Sequence, residues 1–180
     1  MNVCVFCGSG KGLNPAYSEA ARKLGLLLAR ASVRLVYGGG NIGLMGIVAD
    51  AVMESGGTVT GVIPAFLMER EVGHRGITDL EVVDSMHQRK QRMADLADAF
   101  VALPGGWGTL EELSEILTWK QLGLITQPVV LLNTNQFFSP LLDQMHLMVK
   151  EGFLHSSNLQ SLLVETTPED VISLLTGSKS

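Results

Sequence analysis

Two adjacent carboxylates, Glu111 and Glu112, end the glycine-rich part of the stretch LPGGWGTLEEL at residues 103–113. A glycine turn that runs into a helix offers free backbone N–H groups at the positive end of the helix dipole, which suits a phosphate. Two more clusters have the same setting, CGSGKG at 7–12 and YGGGNIGLMG at 37–46. Glycines that only let helices pack closely on strands explain any one cluster better than they explain three together. Arranged around one crevice, the three turns would cradle a nucleotide-like anion.

The separate glycine signals differ in weight. Gly38-x-Gly40-x-x-Gly43 has the form of a dinucleotide fingerprint, but it follows the second strand-like run instead of the first. The acidic residue that would hold a ribose at the end of the next strand is also missing, since TVTGVIP ends in Pro64. A nicotinamide cofactor is therefore set aside. Gly10-Lys11-Gly12 lacks the spacing of a P-loop.

Charges placed by helical direction sharpen the picture. In SMHQRKQRMADLA, residues 85–97, Met86, Met93, Leu96 and Ala97 form the apolar stripe, and Arg89 and Lys90 leave from its two flanks. Both lie in the N-terminal half, where a cation opposes the dipole, so a ligand-facing role suits them better than a solvated surface does. In the helix after the quoted turn, Leu110, Leu113, Ile116, Leu117 and Trp119 define an apolar arc that contains Glu112, while Glu111 points outward. Thr109 to Glu112 also has the form of a capping box, so Glu112 has a purely structural reading that stands beside the functional one. His74, His87, His146 and His155 make no plausible metal cluster, and no serine or cysteine sits in a triad pattern. What remains is charge stabilisation by an inward carboxylate and an arginine.

These residues need a scaffold, and the pattern supplies one. Apolar runs at 3–7, 34–37, 59–63, 80–83, 100–103, 129–132 and 162–164 read as strands. They alternate with helical patterns at 15–31, 43–55, 85–97, 110–122, 138–151 and 168–175, the last behind a Thr167 cap with Pro168 at its first position. Continuous apolar strands separated by helices predict an α/β fold: one Rossmann-like, doubly wound parallel sheet with helices on both faces, spanning residues 1–180 as a single domain. The crevice at the carboxyl ends of its strands is where ligands bind in such sheets. The irregular stretch 64–79 is longer than an ordinary connection and reads as a binding loop.

Composition narrows the partners. Hydrophobic residues make up 46% and charged residues 17%, which excludes a disordered chain, and a net charge of -5 argues against a broad grip on nucleic acid or an acidic membrane. Neither a signal peptide nor an apolar span of membrane length is expected, so the reading is a cytoplasmic protein. Cys4 and Cys7 form a C-x-x-C on a strand, where residues three apart face opposite ways; two buried structural thiols are expected instead of a redox pair.

GGGNIGLMG, MHQRK and above all PGGWGTLEE, a P-G-G-x-G-T-x-x-E motif, resemble the LOG family of cytokinin riboside 5′-monophosphate phosphoribohydrolases, whose members were once mislabelled lysine decarboxylases. The resemblance runs from VCVFCGS to the final helix. It implies hydrolysis of the N-glycosidic bond of adenosine 5′-monophosphate or an N6-prenylated form, giving free base and ribose 5-phosphate, with no cofactor and no metal. By motif position it implies Arg89 and Glu112 as the catalytic pair. Lys90, Gly106, Trp107, Gly108, Thr109, Leu110, Glu111 and Thr118 match nucleotide-contacting positions, Glu71 the acidic residue at the base or ribose end, and Ser9, Gly40 and Gly43 further contacts. The family is usually dimeric, and Trp119, Leu122, Leu124, Ile125, Phe137, Phe138, Met145 and Met148 supply apolar surface for either a partner copy or the core. A non-catalytic nucleotide or molybdenum-cofactor carrier on the same scaffold is the alternative, distinguished by having no need for Arg89 with Glu112. No lysine lies in a recognisable pyridoxal phosphate setting.

Overall fold

The computed structural model describes residues 1–68 and 72–177. Its strands are β1 (Asn2–Phe6), β2 (Arg34–Tyr37), β3 (Val59–Pro64), β4 (Asp79–Val83), β5 (Ala99–Ala102), β6 (Val129–Leu132) and β7 (Leu162–Glu165). The helices are α1 (Pro15–Arg30), α2 (Gly43–Glu54), α3 (Met86–Leu96), α4 (Trp107–Gln121), α5 (Ser139–Lys150), α6 (Ser156–Gln160) and α7 (Pro168–Thr176). Short 3-10 turns at Ala65–Leu67 and Thr134–Gln136 follow β3 and β6.

All the strand pairs are parallel, in the order β4-β3-β2-β1-β5-β6-β7. The chain builds outward from β1 to β4, returns to lay β5 on the other side of β1, and goes on outward to β7. The reversal between β1 and β5 opens a crevice at the carboxyl ends of the strands. This is the doubly wound α/β architecture that the alternating runs predict.

The two-residue period of a strand sorts the core into two layers. Val3, Val5 and Cys7 join the layer under α1, α2 and α7, whereas Cys4 and Phe6 join the layer under α3, α4 and α5. Cys4 and Cys7 are not joined in a disulfide and are buried in different layers. Helix starts follow the local chemistry. Asn14 accepts from the Ala16 N–H at 3.0 Å ahead of Pro15, Ser85 accepts from Gln88 at 3.2 Å, and Thr167 accepts from Asp170 at 3.2 Å ahead of Pro168.

Three features go beyond the sequence reading. α4 begins at Trp107, because Gly106 takes the cap position without any side-chain bond, and Thr109 is thus a buried residue inside the helix and caps nothing. The capping-box pattern misled because an [ST]-x-x-E spacing serves equally well one turn further in. α6 was not expected, since five residues are too few to show a period. The 64–79 stretch contains the turn Ala65–Leu67 and an isolated antiparallel bridge between Gly40 and Gly73. Of the eight apolar residues set aside for core or partner, Phe138 is core, Trp119, Ile125 and Met145 pack against it, and Leu122, Leu124, Phe137 and Met148 are exposed.

Candidate active site

The crevice holds a cavity of about 200 Å³ whose walls come from the three glycine turns: Gly8 and Ser9 after β1, Gly38 after β2, and Gly106 to Thr109 after β5. Glu111, Glu112 and Arg89 complete the polar lining, while Val5, Met45, Leu67 and Met86 supply apolar surface. A second cavity of about 310 Å³ shares Gly8, Ser9 and Gly106 and continues toward Lys11, Tyr17 and Phe137.

Each polar group owes its place to an element. The first turn of α4 contributes N–H groups that have no partner within the helix, so the Trp107, Gly108 and Thr109 amides sit at the positive dipole end beside the cavity. Glu112 follows Gly108 by four residues and Thr109 by three, which puts its carboxylate on the same side one turn along. It is 9% exposed, whereas Glu111 next to it is exposed, as the helical direction predicts. Arg89 descends from α3 and is only 4% exposed; its Nη2 donates to the Gly38 carbonyl at 3.0 Å. Gly38 is required there, since a Cβ would stand 1.9 Å from Nη2. Burial pushes the Cys4 thiol well above its ordinary range, with the charge of Glu112 adding to the rise and that of Arg89 opposing it. Both charges are therefore felt at Cys4 of β1.

Other predicted contacts fall elsewhere. Lys90 does not line the cavity; its ammonium pairs with Glu111 and, at 3.2 Å, with Glu115. Hydrogen bonding to Glu111 raises its pKa above the usual lysine value against the opposing effect of burial, and Glu115 adds to the rise. Thr118 is exposed and its hydroxyl donates to the Ser114 carbonyl at 2.7 Å. Seven residues from Glu111, it lies on the stripe of α4 that carries Glu111 and Glu115. Leu110 packs against the core below α4. Gly43, at φ 62°, lets the start of α2 approach Ser9, where a Cβ would be 2.2 Å from its carbonyl carbon. Gly40 spends its backbone on the bridge to Gly73. Glu71 lies outside the described residues. Among the described residues, no group of three or more His, Cys, Asp or Glu could hold a metal ion, and no helix is long and apolar enough to cross a membrane.

Sequence reasoning reached Gly38 and Leu67 only as members of a glycine cluster and a candidate binding loop, and missed Met86 as part of this cavity. Gly38 was legible only as one of a glycine cluster, because its need for a missing side chain arises from an arginine 51 positions away. Met86 was assigned to the apolar stripe, and nothing in its spacing distinguishes a cavity wall from a core.

A family model described as "Possible lysine decarboxylase" matches residues 45–175. The cytokinin riboside 5′-monophosphate phosphoribohydrolase of Rhodococcoides fascians is 49% identical over 164 residues, covering 91% of this chain and 83% of its own. A probable cytokinin riboside 5′-monophosphate phosphoribohydrolase of Oryza sativa subsp. japonica is 47% identical over 173 residues, with 96% of this chain and 71% of its own covered. Among solved structures, the molybdenum cofactor binding protein of Rippkaea orientalis superposes with a TM-score of 0.73 at 21% identity, over 98% of this chain and 95% of the other, a likeness of fold alone. With the P-G-G-x-G-T-x-x-E turn at the mouth of the crevice and its final glutamate buried beside an arginine, the chain belongs to the LOG family, that of the cytokinin riboside 5′-monophosphate phosphoribohydrolases.

Proposed function

We propose that the protein hydrolyses the N-glycosidic bond of adenosine 5′-monophosphate or its N6-prenylated analogues, releasing the free base and ribose 5-phosphate. One observation carries the reading: a buried carboxylate, Glu112, stands one helical turn from the open amides of α4 in a cavity that also receives Arg89. A turn rises about 5.4 Å, the span of a ribose between its 5′-phosphate and its anomeric carbon. With the phosphate on the amides of 107–109, Glu112 faces the carbon whose bond breaks.

Departure of the base builds positive charge on the sugar, and a buried carboxylate aimed at it stabilises an oxocarbenium-like transition state and orients the attacking water. The bond from C1′ to the base nitrogen breaks, its electron pair leaves with the base, and water adds hydroxyl to C1′ and a proton to the base. Arg89 holds the phosphate or neighbouring negative charge, and its bond to Gly38 fixes its direction. In this reading Ser9, Gly106 and Glu111 complete the substrate contacts from the cavity rim. Such a substrate belongs to the cytoplasmic nucleotide pool. A homodimer is part of the same reading, supported by the exposed Leu122, Leu124 and Met148.

The test is direct. Purified protein is incubated with AMP, isopentenyl-AMP, GMP and CMP without added metal, and the released bases are separated by chromatography. Adenine or its prenylated form is expected from the first two, and its release is expected to fall at least about 100-fold in Glu112→Gln and in Arg89→Ala. Near-normal turnover in both variants would defeat the mechanism, and absence of release from all four nucleotides by the unmodified protein would defeat the function.

A further inference from the structure

A second set of polar groups joins the buried Tyr37 and His74 to the half-exposed Asp50. Tyr37 ends β2 without solvent exposure, and its hydroxyl is 3.1 Å from Nδ1 of the buried His74. On the other side of the ring, Nε2 is 3.3 Å from Oδ1 of Asp50 on α2. An ionised carboxylate only accepts, so Nε2 carries a proton toward Asp50, and Nδ1 shares the other hydrogen bond with the tyrosine hydroxyl. An imidazole engaged at both nitrogens fixes its own backbone in place.

The backbone repeats the attachment. The His74 N–H donates to Gly39 at 2.9 Å, the Asn41 N–H donates to Val72 at 3.0 Å, and Gly40 bridges Gly73. The Gly73 N–H in turn donates to the Met68 carbonyl at 2.8 Å, which brings the chain back to the turn Ala65–Leu67. Leu67 is a wall of the cavity. The segment 37–41 is therefore gripped from two directions: Arg89 holds Gly38 from α3, and residues 72–74 hold Tyr37, Gly39, Gly40 and Asn41.

We propose that His74 is a positioning residue for the hydrolysis: by locking 72–74 onto the end of β2 through Tyr37 and Asp50, it sets where Leu67 stands and hence how tightly the nucleotide is held. Glu112 stands on α4 and Arg89 on α3, and Tyr37, which leads to Gly38, stays paired in the sheet with Val5 and Gly61, so loosening this lock shifts the Leu67 wall more than the bond-breaking groups. The inference rests on the phosphoribohydrolase reading above.

Three full-length variants test it, with AMP hydrolysis, calorimetric titration with AMP and melting temperature measured on each. Tyr37→Phe removes a hydroxyl and no carbon, His74→Ala removes both contacts, and His74→Gln returns a donor toward Asp50. KM and the dissociation constant of AMP are expected to rise together by about 2- to 10-fold in Tyr37→Phe, the range of one net hydrogen bond, and further in His74→Ala. The kcat is expected to stay within about twofold, with His74→Gln between the unmodified protein and His74→Ala. Binding and KM within about 1.5-fold of the unmodified protein in Tyr37→Phe and His74→Ala, or a kcat that merely follows the loss of folded protein, would overturn it. If His74→Ala does not fold, Tyr37→Phe decides alone. An unmodified protein that binds AMP but releases no base defeats the hydrolase reading and leaves affinity to decide the role of His74; one that binds no AMP defeats both.

Discussion

Arg89 reaches the crevice through a space that only a hydrogen leaves open. An alanine at position 38 would put its Cβ 1.9 Å from Nη2, inside any allowed contact, and 3.0 Å from Cζ, and the guanidinium would have to leave the Gly38 carbonyl. Gly38→Ala is therefore expected to cost about 100-fold in kcat/KM, the scale of a misplacement of about 1 Å in a site held by fixed groups. Gly10→Ala is the control, since a Cβ there meets nothing within 4 Å, and steady-state kinetics on the pair check the expectation. At this scale the sequence was informative wherever one helix decided the matter. Helical direction separated Glu112 from Glu111, because α4 is a regular helix with a clear apolar arc, whereas it put Arg89 and Lys90 alike on the flanks of α3 and the family motif chose between them. Helical direction was silent wherever the partner lies far along the chain, as with Gly38 and Arg89, Tyr37 and His74, or Lys90 and the α4 carboxylates Glu111 and Glu115.

Each of the two helices that carry the pair is tied down by a different device. α4 is anchored by its buried Leu113 and Ile116, with the Lys90 ammonium reaching across from α3. α3 is also tied to the edge strand β4, where Arg92 grips Glu81 with two donors at 2.7 and 2.9 Å. The hydrogen bonds from Arg92 hold the Glu81 pKa below its usual 4.5. A depressed carboxylate contributes stability above that value and loses it as the pH falls through the carboxylate range. Glu81→Gln is accordingly expected to lower the melting temperature at pH 7 by about 0.5–4 °C, the effect of a half-exposed pair in a domain of this size. The difference is expected to close as the pH drops below 4.5, and calorimetric melts at both ends of that range check it. The inner strands β1, β2, β3, β5 and β6 were legible to within a residue or two because near-continuous burial on both faces leaves an unbroken apolar run. α6 and the start of α4 were not, since one is a single turn and the other depends on a glycine cap with no side chain to announce it.

For the molecule as a whole, the apolar surface beyond the crevice bears on assembly. Leu122 and Leu124 follow α4, Leu147 and Met148 lie on α5, and Phe153 beyond α5 is 86% exposed. Sedimentation velocity at micromolar concentration is expected to show a dimer, and a monomer would reject that part of the proposal. The reversal of strand order has a different consequence, one for synthesis. Gly8, Ser9, Gly38 and Arg89 all precede β5, while the amides at 107–109 and Glu112 follow it, and the pairing of β1 with β5, Val3 beside Ala99, joins the two groups in the sheet. A nascent chain that stops short of β5 has the arginine and two glycine turns, yet neither the third turn nor the carboxylate. The contact that closes the crevice spans about half the chain, a slow kind of contact to form, so nucleotide affinity arises late in folding and reports that the sheet has been joined across its centre.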